Sequence, residues 1–210
     1  MLQLQTVFPD TLELLRSLMG LPILQDMRLV GGTALALQYG HRRSVDLDFF
    51  GMTTEDANEL TEALRSISNN IQQGNSSKRI KSYMIDNIKV DFVNYNYKWL
   101  EDAIIEDNIR LASPMDIAAM KMNAIMGRGT KKDFIDIYYL LKHYSFEDIL
   151  QFYVNKYPEY STYRAMLSMS YFEDADSQPM PYMFDNISWD RIKEHIKVVI
   201  REYNKRINQI

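Results

Sequence analysis

Between Met27 and Phe50 the chain changes its local rule three times in a short distance. Met27-Arg28-Leu29-Val30 is a short apolar run suited to a buried strand, and Gly31-Gly32 ends it. Thr33 to Tyr39 then has helical periodicity, and Ser44 to Phe50 alternates, with Ser44, Asp46 and Asp48 on one side and Val45, Leu47 and Phe49 on the other. A glycine pair at a helix entrance lets backbone amides approach an anion unobstructed, and the helix start adds its positive dipole end, so Gly31-Gly32 reads as a phosphate cradle. Asp46 and Asp48 project to one strand face, where two carboxylates can share hard cations such as Mg²⁺. Two ions held in this way can activate an attacking hydroxyl and neutralise a departing pyrophosphate.

Each piece alone is ordinary. Gly-Gly occurs in many tight turns, and Asp-x-Asp is often a solvated strand face. A calcium loop is excluded by the apolar Leu47 and Phe49-Phe50 and by the missing later glycine and glutamate of an EF-hand. The order and spacing carry the signal: strand, glycine pair, helix, then a strand delivering both acids. Other chemistries drop out on composition. The chain has no cysteine, so disulfides, thiolate nucleophiles and thiolate-bound metals are absent. The three histidines, His41, His143 and His195, are widely separated and form no HExxH, which argues against a zinc hydrolase.

Further along, Thr11 to Met19 and Glu55 to Ile71 read as helices, and Arg79 to Ile85 and Ile88 to Tyr95 as strands joined at Asp86-Asn87, a pair that tolerates the positive φ of a tight hairpin. From Leu111 the pattern turns helical. Ser113-Pro114-Met115-Asp116 carries a capping serine, proline at the first helical position and an acid in the first turn, and that helix should stop near Gly127-Arg128-Gly129. Helices are expected over Lys131 to His143, Phe146 to Lys156, Tyr160 to Ser168 and, after a Ser188 cap, Trp189 to Asn208; Phe172 to Asn186 carries loop residues. The predicted class is α+β: a lobe over 1–110 with a mixed sheet and flanking helices, then a helical lobe over 111–210, with the cleft between them as the natural ligand site.

The run from Leu29 to Phe50 resembles the signature of the polymerase-beta-type nucleotidyltransferase superfamily. Gly31-Gly32-Thr33-Ala34-Leu35, taken with His41-Arg42-x-Ser44-x-Asp46-Leu47-Asp48-Phe49-Phe50, is more narrowly similar to the AbiEii-type nucleotidyltransferase toxins of abortive-infection and toxin–antitoxin systems. Asp116-Ile-Ala-Ala-Met-Lys121 leading to Arg128, and Lys132-Asp133-Phe134-Ile135-Asp136 leading to Leu141, resemble that family's later motifs.

The resemblance implies a third carboxylate on a neighbouring strand, for which Asp91 is the match; with Asp46 and Asp48 it would complete the metal site or take the proton from the attacking hydroxyl. It also implies that Lys121 reaches nucleotide phosphates and that Asp133 acts in or beside the site. A lysine between apolar neighbours must reach solvent or meet an anion. Asp133 and Asp136, three apart on one helix face, are candidate partners of Lys121 or Arg128. The nucleotide-binding candidates are Gly31, Gly32, Thr33, Arg42, Arg43, Ser44, Lys121, Arg128 and Lys132; which arginine meets phosphate stays open.

The implied reaction is Mg²⁺-dependent transfer of NMP from an NTP with release of pyrophosphate. The 3′ end of tRNA is the implied acceptor and a cognate antitoxin the implied partner. A protein or small-molecule acceptor, a phosphohydrolase and a catalytically silent nucleotide-binding protein are the alternatives. Lys193, Lys197, Arg201 and Lys205 recur every fourth residue in the last helix, a stripe that could follow a polynucleotide backbone, although a solvated face has the same pattern. The net charge of −4 argues against broad nonspecific nucleic-acid binding. No basic leader and no long apolar run is visible, so a soluble cytoplasmic protein is expected.

Overall fold

The computed structural model describes residues 1–209 and divides the chain into two compact units, Met1–Tyr97 with Asp102–Ala112, and Lys98–Glu101 with the chain from Ser113 onward. The first unit is built on a seven-stranded mixed sheet. Its strands are β1 (Arg28–Leu29), β2 (Leu47–Gly51), β3 (Ile71–Ser76), β4 (Ile80–Ile85), β5 (Ile88–Asn94), β6 (Ile104–Glu106) and β7 (Ile109–Leu111), in the order β3-β4-β5-β2-β1-β7-β6. Helices α1 (Pro9–Met19), α2 (Gly31–Tyr39) and α3 (Ala57–Arg65) accompany the sheet. β2 lies antiparallel to β1 and parallel to β5, with Leu47 opposite Val90 and Asp48 opposite Asp91.

That register sorts the side chains. Leu47 and Phe49 of β2, with Val90 and Phe92 of β5, are buried, and the Phe49 and Phe92 rings stack at 5.5 Å between centroids. The opposite face carries Asp48 on β2 and Lys89 and Asp91 on β5, as the two-residue strand period requires. The Asp86-Asn87 hairpin forms as expected, with φ of 50° and 65°.

Several expected bounds shift for identifiable reasons. The acid-bearing strand begins at Leu47 instead of Ser44, because the preceding backbone is tied elsewhere: Ser44 N–H donates to Thr6 O at 2.9 Å, and Asp46 O faces the Thr33 hydroxyl. Val45, placed by alternation on the apolar side with Leu47, is therefore exposed. Helix α2 starts at Gly31, so the glycine pair forms its first turn. α3 ends at Arg65, residues 66–70 turn, and Ile71, the last residue of the expected longer helix, opens the edge strand β3, whose polar residues pair with β4. The short hairpin of β6 and β7 was not expected.

The second unit is helical: α4 (Pro114–Gly127), α5 (Lys131–Leu140), α6 (Phe146–Lys156), α7 (Thr162–Ser168), α8 (Glu173–Asp176) and α9 (Trp189–Ile207). Ser113 caps α4 by accepting the Asp116 N–H, with Pro114 at the first position. α4 packs against α5, α6 and α7, and its inner residues Ile117, Ala118, Met122 and Ile125 are buried. Asp116 also draws in the segment Lys98–Glu101. Its oxygens accept the Leu100 N–H at 2.9 Å and the Glu101 N–H at 3.3 Å, while Lys156 pairs with it at 2.6 Å and donates to Lys98 O at 3.0 Å. Both partners of this pair are fully buried, so each would be left uncompensated by loss of the other. Among the described residues, no helix is long and apolar enough to cross a membrane.

Candidate active site

The parallel pairing of β2 with β5 brings Asp48 and Asp91 side by side on one face of the sheet. Asp91 Oδ2 receives the Lys89 ammonium at 2.6 Å, with Asp91 largely covered and Lys89 about half exposed. Asp91 Oδ1 is buried and meets no hydrogen-bond donor among the described residues. Lys89 is held above the ordinary lysine pKa, first by its hydrogen bond to Asp91 and then, against the opposing effect of burial, by the negative fields of Asp91, Asp48 and Asp46. All three candidate acids therefore act on one ammonium.

The glycine turn lies against Asp48. Gly31 has φ of +67°, and a Cβ built there would stand 2.8 Å from Asp48 Oδ2, so a side chain would be strained in its backbone and collide with the carboxylate. At Gly32 a Cβ would fall 2.0 Å from Arg42 Nη2. The Arg42 guanidinium is buried against the turn and donates to Arg43 O at 3.2 Å. The Thr33 hydroxyl lies 2.8 Å from Ser44 Oγ and within reach of Asp46 O, which fixes the segment that delivers the acids. Arg43 instead lies over the Phe8 ring at 4.7 Å. The first unit thus gathers Gly31, Gly32, Thr33, Arg42, Ser44, Asp46, Asp48 and Asp91 around one turn and one strand pair.

Whether the acids suit a divalent cation rests on their chemistry. Among the described residues, no three histidine or acidic side chains converge closely enough to enclose a metal ion as they stand. Two aligned carboxylates, one of them with a buried oxygen lacking a donor, are nonetheless the hard oxygen set that Mg²⁺ or Mn²⁺ takes, with water filling its remaining positions. The residues fit such an ion. Sequence reasoning missed Lys89, although its spacing of two from Asp91 in a strand already placed both on one face.

The second unit holds the other candidates. Lys121 is buried and lies 2.9 Å from Asp133 Oδ1 and 2.6 Å from Asp136 Oδ2, so the anions it meets in this structure are the chain's own carboxylates. Arg128 reaches both oxygens of Asp133, with Nε at 3.1 Å and Nη2 at 3.3 Å, and the Thr130 hydroxyl donates to Oδ2 at 2.6 Å in a capping box that starts α5. Burial opposes ionisation of Asp133, but Lys121, Arg128 and Thr130 outweigh it and hold its carboxyl at about 2. Lys132 is exposed beside this group. In the basic stripe of α9, Lys193 pairs with Asp176 at 2.9 Å and Asp190 at 3.2 Å. Lys197, Arg201 and Lys205 line a groove of about 540 Å³.

Comparison with known proteins fits this geometry. The family model described as nucleotidyl transferase AbiEii toxin, type IV TA system, matches residues 13–209. A protein of Aquifex aeolicus (strain VF5), aq_aa25, is 32% identical over 199 residues, covering 91% of this chain and 94% of that one. The crystal structure of JHP933 from Helicobacter pylori superposes with a TM-score of 0.58 at 17% identity, covering 97% of this chain and 95% of that one. The antibiotic-resistance factor ANT(2'')-Ia gives 0.52 at 12% identity, covering 69% and 90%. At these identities the two structures share a fold with this chain.

Proposed function

This chain belongs to the AbiEii nucleotidyl transferase toxin family, and from that premise we propose that it transfers a nucleoside monophosphate from an NTP to the 3′ end of a tRNA, using divalent metal held by Asp46, Asp48 and Asp91. The observation that carries this reading is the placement of Asp48 beside Asp91 in register and directly against the Gly31 turn. Bound there, magnesium would supply the charge neutralisation that the phosphates and the departing pyrophosphate need.

The remaining work falls to the chain. Backbone amides at Gly31-Gly32 and the start of α2 face the triphosphate, and the buried Arg42 guanidinium adds positive charge behind the turn. The acceptor hydroxyl oxygen forms a bond to the α-phosphorus, the bond from that phosphorus to the β-phosphate oxygen breaks, and the hydroxyl proton passes to a carboxylate of the acidic face. Thr33 and Ser44 keep Asp46 in place during this exchange. We also assign the Lys121–Asp133 pair, with Arg128 and Lys132, a part in transfer, as the family's later motifs imply. Growth arrest, a cognate antitoxin and a cytoplasmic site of action complete the reading.

The test incubates purified protein with each α-³²P-labelled NTP, Mg²⁺ and total tRNA, beside an Asp46→Ala/Asp48→Ala control. Label entering RNA, dependent on the acids and accompanied by pyrophosphate, is the expected result and identifies the nucleotide. Label entering protein moves the acceptor, and release of inorganic phosphate without labelling makes the site hydrolytic. No reaction with any NTP overturns the assignment.

A further inference from the structure

Lys89 is a closely held group on the acidic face to which the reaction above gives no task. Its ammonium lies 2.6 Å from Asp91 Oδ2. The parallel register sets Asp48 opposite Asp91, on the face that Lys89 shares, while Asp46 lies just before the first paired residue, Leu47. The negative fields of Asp91, Asp48 and Asp46 all bear on it. A single positive charge thus sits on Asp91 within the negative fields of Asp48 and Asp46. The pairing is uneven in depth: the Asp91 side chain is 18% exposed and Lys89 52%. A lysine stem of that exposure can swing its ammonium into water without breaking any core packing.

Building on the metal-site reading of the acids, we propose that Lys89 is a resident counter-ion. In the metal-free protein it holds Asp91 and quiets the repulsion among the three acids, and a divalent ion must displace it from Asp91 Oδ2 to bind fully. Three carboxylates with one ammonium carry a net charge of −2, which a single divalent ion neutralises with the lysine still present. A second ion enters favourably only when the lysine leaves or a triphosphate arrives with its own negative charge. Lys89 therefore weakens metal binding in the absence of nucleotide and couples full loading of the site to the substrate. Its positive charge is the operative feature, so arginine in its place retains the competition and methionine removes it.

The experiment measures Mn²⁺ binding by titration calorimetry and by the paramagnetic signal of free Mn²⁺, without nucleotide, for the wild-type chain, Lys89→Met, Lys89→Arg and Asp48→Asn. Thermal unfolding is followed with and without Mn²⁺. The expected result is Mn²⁺ binding about three- to tenfold tighter in Lys89→Met, as befits removal of a partly exposed competing pair, and near wild-type binding in Lys89→Arg. Lys89→Met should also melt below wild type without metal, with the gap closing as Mn²⁺ saturates. A purely structural lysine would lower melting equally with and without metal and leave Mn²⁺ affinity unchanged, and that result overturns the proposal. Should Lys89→Met fail to fold, Lys89→Gln carries the same comparison. If wild type and Asp48→Asn bind Mn²⁺ equally, the metal-site reading itself fails. If Asp48→Asn alone loses binding while Lys89→Met matches wild type, that reading stands and only the counter-ion role fails.

Discussion

Lys89 in the first unit and Lys121 in the second are each paired with carboxylates, and the two pairings differ in exposure and in charge balance. Lys89 is half exposed and outnumbered by Asp46, Asp48 and Asp91, with one oxygen of Asp91 buried and lacking a donor among the described residues. Lys121 is 7% exposed and shared between Asp133 and Asp136, which are 1% and 0% exposed, while Arg128 and Thr130 reinforce Asp133. A surplus of negative charge near solvent is available to an incoming cation and contributes little to stability. A buried, matched cluster is costly to unpair, because each charge left behind has lost its water.

The largest expected effect breaks the first side of this contrast. Asp48→Asn should lower nucleotidyl transfer by on the order of 10³-fold, with a melting temperature equal to or above that of wild type because a mutual repulsion is relieved. A variant that melts well below wild type would make Asp48 a structural acid. Next comes the second side: Asp136→Asn leaves Lys121 short of a buried partner and should cost about 3 kcal/mol in urea unfolding, far more than Asp48→Asn; equal costs for the two would erase the distinction.

Acid sharpens the comparison further. Asp133 is held at about 2 against an ordinary 3.8, so its contribution is fully present above the ordinary value and is lost as pH falls through 2. From that depression, roughly 2 kcal/mol of stability should disappear between about pH 5 and pH 2 in wild type and be missing from the acid-induced loss of Asp133→Asn. Unfolding curves at stepped pH read the difference. Smallest is Arg128→Ala: the arginine is 65% exposed, so although it contacts both oxygens of Asp133 its removal should change unfolding free energy by about 0.5 kcal/mol. A loss of several kcal/mol would place Arg128 within the buried cluster.

Much of the first site was legible in the order of residues. The glycine pair and the Asp86-Asn87 turn are local signals that appear where the sequence placed them, whereas of the two acids only Asp48 lies on the strand, which begins at Leu47. Asp107-Asn108 carries the same turn signal, with φ of 50° and 61°, yet went unread because its strands are three residues each and Ile104 and Ile105 face outward, leaving no alternation to detect. β3 was hidden for the same reason, since an edge strand of mostly exposed polar residues forms by backbone pairing and leaves no apolar period.

The sequence by itself determined much of the local geometry of this protein: which residues turn, which cap a helix, and that Asp48 faces away from Leu47 and Phe49 on its strand. It did so because φ preferences and side-chain periods act over a few neighbours. Tertiary structure alone decided that Asp91 stands opposite Asp48, that Lys89 comes under the field of all three acids, and that Lys121 meets Asp133 and Asp136. Those pairings join residues far apart in the chain, and they are selected by the burial of Leu47, Phe49, Val90 and Phe92 on one side and of α4 against α5 on the other. Burial of an apolar face settles register, and register places the charges.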